Sequence, residues 1–291
     1  MANESQTTPR PGLSAQPVDT GLQALLRQGW TRVRRAAKHF HIHPEDPEAL
    51  HDLRVAMRRQ RSLFQAFAPV LPKQVAQARA LRRLFRQSNK ARDHEVSLSL
   101  LQGIDTPPEW LIQRWQKKQQ RQLGKLQHLP DALQQLSSQN LPIVHTTAQH
   151  QLGQVAATGL ERQQRPLRQQ LLALQTKWDD ATLHQLRIRA KKIRYLIEPF
   201  ARQHRPCARA LKQLKLLQDL CGDYHDHQLL VCKLKRLKVK RQDPQQRQQR
   251  RQAIHQLRQQ QQALRKTIRK MLKQDAQALQ NQLNQARLSL L

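Results

Sequence analysis

Two segments of this chain carry the same pattern 133 residues apart. The first reads Leu50-His51-Asp52-Leu53-Arg54-Val55, continues through Arg58, Arg59 and Arg61, and closes on Phe67. The second reads Leu183-His184-Gln185-Leu186-Arg187-Ile188, continues through Lys191, Lys192 and Arg194, and closes on Phe200. The register persists further on: Leu81 matches Leu214, Arg82 matches Lys215, Leu84 matches Leu217 and Asp93 matches Asp226. An internal repeat of this kind points to one structural plan built twice.

That plan is helical. Glycine occurs eight times in 291 residues, while Gln, Arg, Leu and Ala, all good helix formers, dominate. Periodicity and proline placement predict helices at about 20–40, 48–67, 73–101 and from Pro108 to about His128, with Pro130 and Pro142 breaking the segment beyond it. The second half gives helices at about 146–176, 181–200, 206–237 and 244–286. The third helix of each half is expected to bend, near Ser88-Asn89 and at Gly222. Arg241–Gln262 looks like low complexity, yet Ile254, Leu257, Leu264, Ile268, Met271, Leu279 and Leu283 keep helical spacing, so a long helix with a polar outer face is expected. The fold class is therefore all-α: two pseudo-symmetric four-helix repeats, at about 20–140 and 146–288, sharing a basic central surface. Residues 1–19 are polar and proline-bearing and read as a disordered tail.

On a helix starting at His51, Arg54, Arg58 and Arg61 form one basic stripe beside an apolar face of Leu50, Leu53, Met57, Phe64 and Phe67. In the second copy His184, Arg187, Lys191 and Arg194 form the stripe beside Leu183, Leu186, Ala190, Ile193 and Phe200. Arg59 and Lys192 flank it. Like charges three and four residues apart repel by a few tenths of a kcal/mol per pair, roughly. Keeping the pattern in both halves, each behind a leading His, argues for a shared anion site over two solvated faces. The third helices add Arg79, Arg82 and Arg86 in one half and Lys212 and Lys215 in the other. Asp93 and Asp226 stand at equivalent positions and read as carboxylates that orient neighbouring cations.

With 52 Lys+Arg against 20 Asp+Glu, the net charge of +32 calls for a polyanionic partner: nucleic acid, an anionic membrane or a phosphate polymer. Aromatic residues make up 4%, which argues against a binder that stacks single-stranded bases. No apolar run approaches the roughly 20 residues of a membrane span. Cys207, Cys221 and Cys232 lack CxxC spacing and read as buried free thiols of a cytoplasmic protein. The four Trp read as core or helix-interface anchors. His39, His41 and His43 alternate in a turn without a matching ligand set, so no metal is expected there. No cofactor is expected.

The His51-Asp52-Leu53-Arg54-Val55 segment with Arg58, Arg59 and Arg61, together with Leu217-Gln218-Asp219-Leu220-Cys221-Gly222-Asp223-Tyr224-His225-Asp226, closely resembles the CHAD domain, the conserved-histidine α-helical domain. The resemblance spans about residues 20–285. The chain departs from the family at Ser88-Asn89, where Leu-Gly is frequent. The resemblance implies inorganic polyphosphate as ligand and an association with polyphosphate granules. No Glu-x-Glu-x-Lys motif of the triphosphate-processing CYTH barrel precedes the repeat, so a stand-alone module is expected. The expected activity is non-catalytic binding. A nucleic-acid-binding protein and a polyphosphate or triphosphate hydrolase are the alternatives; the second would want Mg²⁺ held by several acids.

Overall fold

The computed structural model describes residues 12–71, 75–141, 150–239 and 243–291. Among them there is no strand and ten α-helices form. In chain order these are α1 (Val18–Ile42), α2 (Pro47–Ala66), α3 (Ala76–Gln87), α4 (Asn89–Gln102), α5 (Glu109–Leu123), α6 (Leu129–Ser138), α7 (Leu152–Thr176), α8 (Asp180–Ile197), α9 (Arg205–Arg236) and α10 (Pro244–Leu288). α2 and α8 begin 133 residues apart, matching the sequence repeat.

Local chemistry explains the starts. Asp46 accepts from the Glu48 N–H at 2.9 Å to open α2, and Asp179 accepts from the Thr182 N–H at 2.7 Å to open α8. Asp243 does the same for α10 through the Gln246 N–H at 2.8 Å, with Pro244 in the first turn. From Pro244 onward the Gln- and Arg-rich stretch is helical, and α10 buries Ala253, Leu257, Ile268, Met271, Leu279 and Leu283.

Several boundaries differ from expectation. Residues 12–19 are placed rather than disordered: the Val18 N–H donates to the His150 carbonyl at 3.2 Å and the Leu152 N–H to the Gln16 carbonyl at 2.9 Å. These two bonds clasp the lead into α1 to the lead into α7. Pro130 does not break the chain but sits in the first turn of α6, where its missing N–H has no cost. The predicted third helix splits at Ser88, whose hydroxyl donates back to the Phe85 carbonyl at 2.8 Å and competes with the helix ladder. At the matching positions stand Cys221 and Gly222, and α9 runs through them unbroken. The expected starts at Lys73 and Thr146, and Pro142, lie outside the described residues.

The core crosses the repeat boundary. A large cluster joins α1, α2, α3 and α6 to α7, α8, α9 and the C-terminal part of α10. A second cluster packs Leu101, Leu111 and Trp115 against Leu230, Val231 and Leu257, one helical hairpin from each half. Trp30 and Trp115 are buried, and Trp110 donates to Gln249 at 2.9 Å across α5 and α10. Cys207 and Cys221 are buried free thiols, whereas Cys232 is exposed, contrary to expectation.

Gly153 marks where the chain ends press on α7. A Cβ there would overlap the Leu290 carbonyl oxygen and stand 2.9 Å from the Ser14 Cβ. Gly153→Ala is expected to destabilise the fold by about 1–3 kcal/mol, the usual cost of overpacking. A lower urea midpoint with unchanged helicity would show it; an unchanged midpoint would mean that both end segments yield freely.

Candidate functional site

α2 packs directly against α8, so the two stripe-bearing helices meet. Their convergence centres on Lys191, a half-buried residue. The charges that bear on it most are Arg58 and Arg61 of α2 and Arg187 and Arg194 of its own helix. Among the described residues no carboxylate pairs with it. Burial, followed by these four arginines, pushes its ammonium down from 10.5 to about 7. Such a nest disfavours its own charge.

Arg61 extends the cluster to α3. Its guanidinium lies 4.5 Å from the Phe85 ring centroid, and burial followed by Arg82, Arg58 and Arg86 lowers its pKa. Arg79, Arg82 and Arg86 are all exposed on α3. Lys212 and Lys215 are exposed on α9, and neither is among the charges that dominate at Lys191. Arg59 is diverted to an ion pair with Glu198 at 3.1 Å, in keeping with its place off the stripe.

Arg54 takes a different place from the one its stripe position suggests. It is 6% exposed, donates to the Ser88 hydroxyl and to Asn89 Oδ1 at 3.3 Å, and stacks on Phe85 at 4.5 Å. Burial, then Arg58 and Arg92, bring its pKa to about 10, so it stays charged at neutral pH. Ser88-Asn89, the departure from the family pattern, is thus the seat of a buried guanidinium. Its counterpart Arg187 has Cys221 and Gly222 in those places and makes no hydrogen bond among the described residues. The Arg187 Nε is buried and unpartnered, as are those of Arg58 and Arg194.

Acidic and imidazole groups gather at one end. Asp226 on α9 senses Arg187, Arg92 and Asp93; burial raises its carboxyl pKa, and the two arginines oppose this. Burial and Asp226 raise that of Asp223. Burial also raises Glu95, whose carboxylate accepts from Arg92 and lies near His51. The His184 ring packs on His225 with centroids 5.2 Å apart, and burial followed by Arg187 lowers the His225 pKa. The sequence offers one equivalent acid per repeat here, but the fold collects four. Glu95 escapes a comparison of the repeats because its counterpart is the uncharged Gln228. Phe85, Ser88 and Asn89 escape it for the same reason, having no matching residues in the second half. Among the described residues no three His, Cys, Asp or Glu side chains are grouped to hold a metal. No helix there is long and apolar enough to cross a membrane.

Comparison with known proteins agrees with this architecture. No curated protein sequence matches the chain. Among solved structures, the crystal structure of the CHAD domain from the plant Ricinus communis aligns with a TM-score of 0.67 at 23% identity, covering 90% of this chain and 93% of that one. PptA from Streptomyces chartreusis aligns with a TM-score of 0.64 at 18% identity, covering 90% and 100%. Both likenesses are of fold. The family model of the CHAD domain matches residues 21–235, most of the chain. With the paired basic helices in contact and this match in hand, the chain belongs to the CHAD domain family.

Proposed function

We propose that this protein binds inorganic polyphosphate along the joined faces of α2 and α8 and does not cleave it. The observation that carries the reading is Lys191: four arginines, two from each half, crowd one lysine with no carboxylate paired to it. A linear polymer with about one charge per phosphate and no base edges needs such an array and little else. Arginine supplies forked contacts to phosphate oxygens and lysine a point charge. Arg58, Arg187 and Arg194 make no side-chain hydrogen bond or ion pair among the described residues, so their guanidinium donors are left for it. Asp93 and Asp226 keep the orienting role, Asp93 beside Arg54 and Asp226 beside Arg187. In the cell the expected location is the cytoplasm, at polyphosphate granules.

The test is affinity against salt, with RNA as competitor at equal charge concentration. If six phosphates are neutralised, the counterion-release slope for a flexible strand is about −4, or roughly 300-fold weaker binding from 50 to 200 mM salt. Long-chain polyphosphate should outcompete RNA, and its length distribution should survive incubation with Mg²⁺. A flat salt response would remove the electrostatic basis of the reading. Shortened chains would make the protein an enzyme.

A further inference from the structure

A lysine amine without a partner, set among arginines, has a chemistry beyond holding phosphate. Lys191 makes no hydrogen bond or ion pair among the described residues and is half-buried, so its amine is neither tied to an acid nor sealed in the core. Arg58 and Arg61 face it from α2, and Arg187 and Arg194 from α8. Neighbouring cations and partial desolvation favour the neutral, nucleophilic amine, the device by which lysines are activated in enzyme sites. The same arginines would hold a small phosphate group close to that amine.

We propose that Lys191 is an acylation site for small acyl phosphates, whose phosphate docks on the surrounding arginines while the acyl group passes to Nζ. The Nζ lone pair attacks the acyl carbon and the N–C bond forms. The C–O bond to phosphate breaks, phosphate leaves with the electron pair, and one Nζ proton goes to solvent. No oxidant, reductant or further co-reactant enters. The product is an uncharged amide at the centre of the cation cluster. That this amide loosens the hold on polyphosphate rests on the function proposed above; the acylation itself does not.

The full chain is treated at pH 8 with acetyl phosphate and, in parallel, with acetyl N-hydroxysuccinimide ester, and the acetylation rate of each lysine is followed by peptide mass spectrometry. An ordinary lysine near pKa 10.4 is under about 1% neutral at this pH. Against that, Lys191 should react at least about tenfold faster than exposed Lys212 and Lys215 with both reagents. Its lead should be larger with acetyl phosphate, and inorganic phosphate should erase that excess. Lys191 trailing the exposed lysines would overturn the proposal. An equal lead with both reagents, untouched by phosphate, would overturn the phosphate docking. No polyphosphate is present, so failure here is distinct from failure of the binding reading, which the salt and competition measurements decide.

Discussion

Arg58→Glu and Lys191→Glu are each expected to weaken polyphosphate binding at least about tenfold at 100 mM salt, and the double variant at least about 100-fold. The two residues come from different halves of the chain, yet Arg58 is the foremost charge acting on Lys191. Each reversal removes a charge-assisted contact, which contributes about 1.5–3 kcal/mol, and adds an anion that repels the polymer. Lys191→Glu does more, because the new carboxylate would occupy the nest as an internal substitute for phosphate. The fold should survive: both side chains are half-buried beside the core, and Lys191→Glu relieves repulsion among four arginines. Thermal melts by circular dichroism check that. Lys212→Glu, exposed on α9, should have a smaller effect. One stripe proving silent while the other abolishes binding would mean that one repeat is scaffold and the shared groove does not exist.

Arg54 is absent from that set for a structural reason. In sequence it is equivalent to Arg187, since the two stand at matching positions of matching helices. What separates them lies on other helices: Phe85, Ser88 and Asn89 on one side, Cys221 and Gly222 on the other. Reversing Arg54 would leave a buried carboxylate facing the Ser88 and Asn89 oxygens, so lost binding could not be told from lost folding.

The same distinction governs how far the sequence can be read. Helices with strong apolar periodicity, such as α1 and α2, are legible to within a few residues because their spacing and capping residues are local signals. The stripes are legible because the repeat prints them twice. Features that break the repeat are less so: the split at Ser88 reads in the sequence only as a bend, and the seat of Arg54 and the Glu95 carboxylate depend on residues present in one half. The first turn of α6 is hidden because Pro130 signals a break, although the opening turn of a helix accommodates proline. The contact of α2 with α8, which turns two stripes into one cluster, is tertiary and leaves no trace in either segment alone. The depressed pKa of Lys191 follows from its burial first, and then from the arginines of both helices.

That depression gives binding a pH dependence carried by Lys191. In the free protein its ammonium titrates at about 7, against an unperturbed value of 10.5. Between those limits the unfolded chain holds more protons than the folded one, so this group's contribution to stability rises with pH from about 7 to about 10.5. Binding has the opposite sign. A polyphosphate beside Lys191 favours the charged form and returns its pKa toward the ordinary range, so the complex takes up a proton. Affinity should therefore be level below pH 7 and fall by up to about tenfold per pH unit between 7 and 9. Lys191→Arg keeps a permanent cation in the nest and should flatten the profile while retaining tight binding. A His51→Gln, His184→Gln double variant should keep the slope above pH 7. If Lys191→Arg loses affinity with pH as steeply as the parent, the proton taken up on binding belongs to another group, and the arginine nest acts on the ligand without passing through the charge of its central lysine.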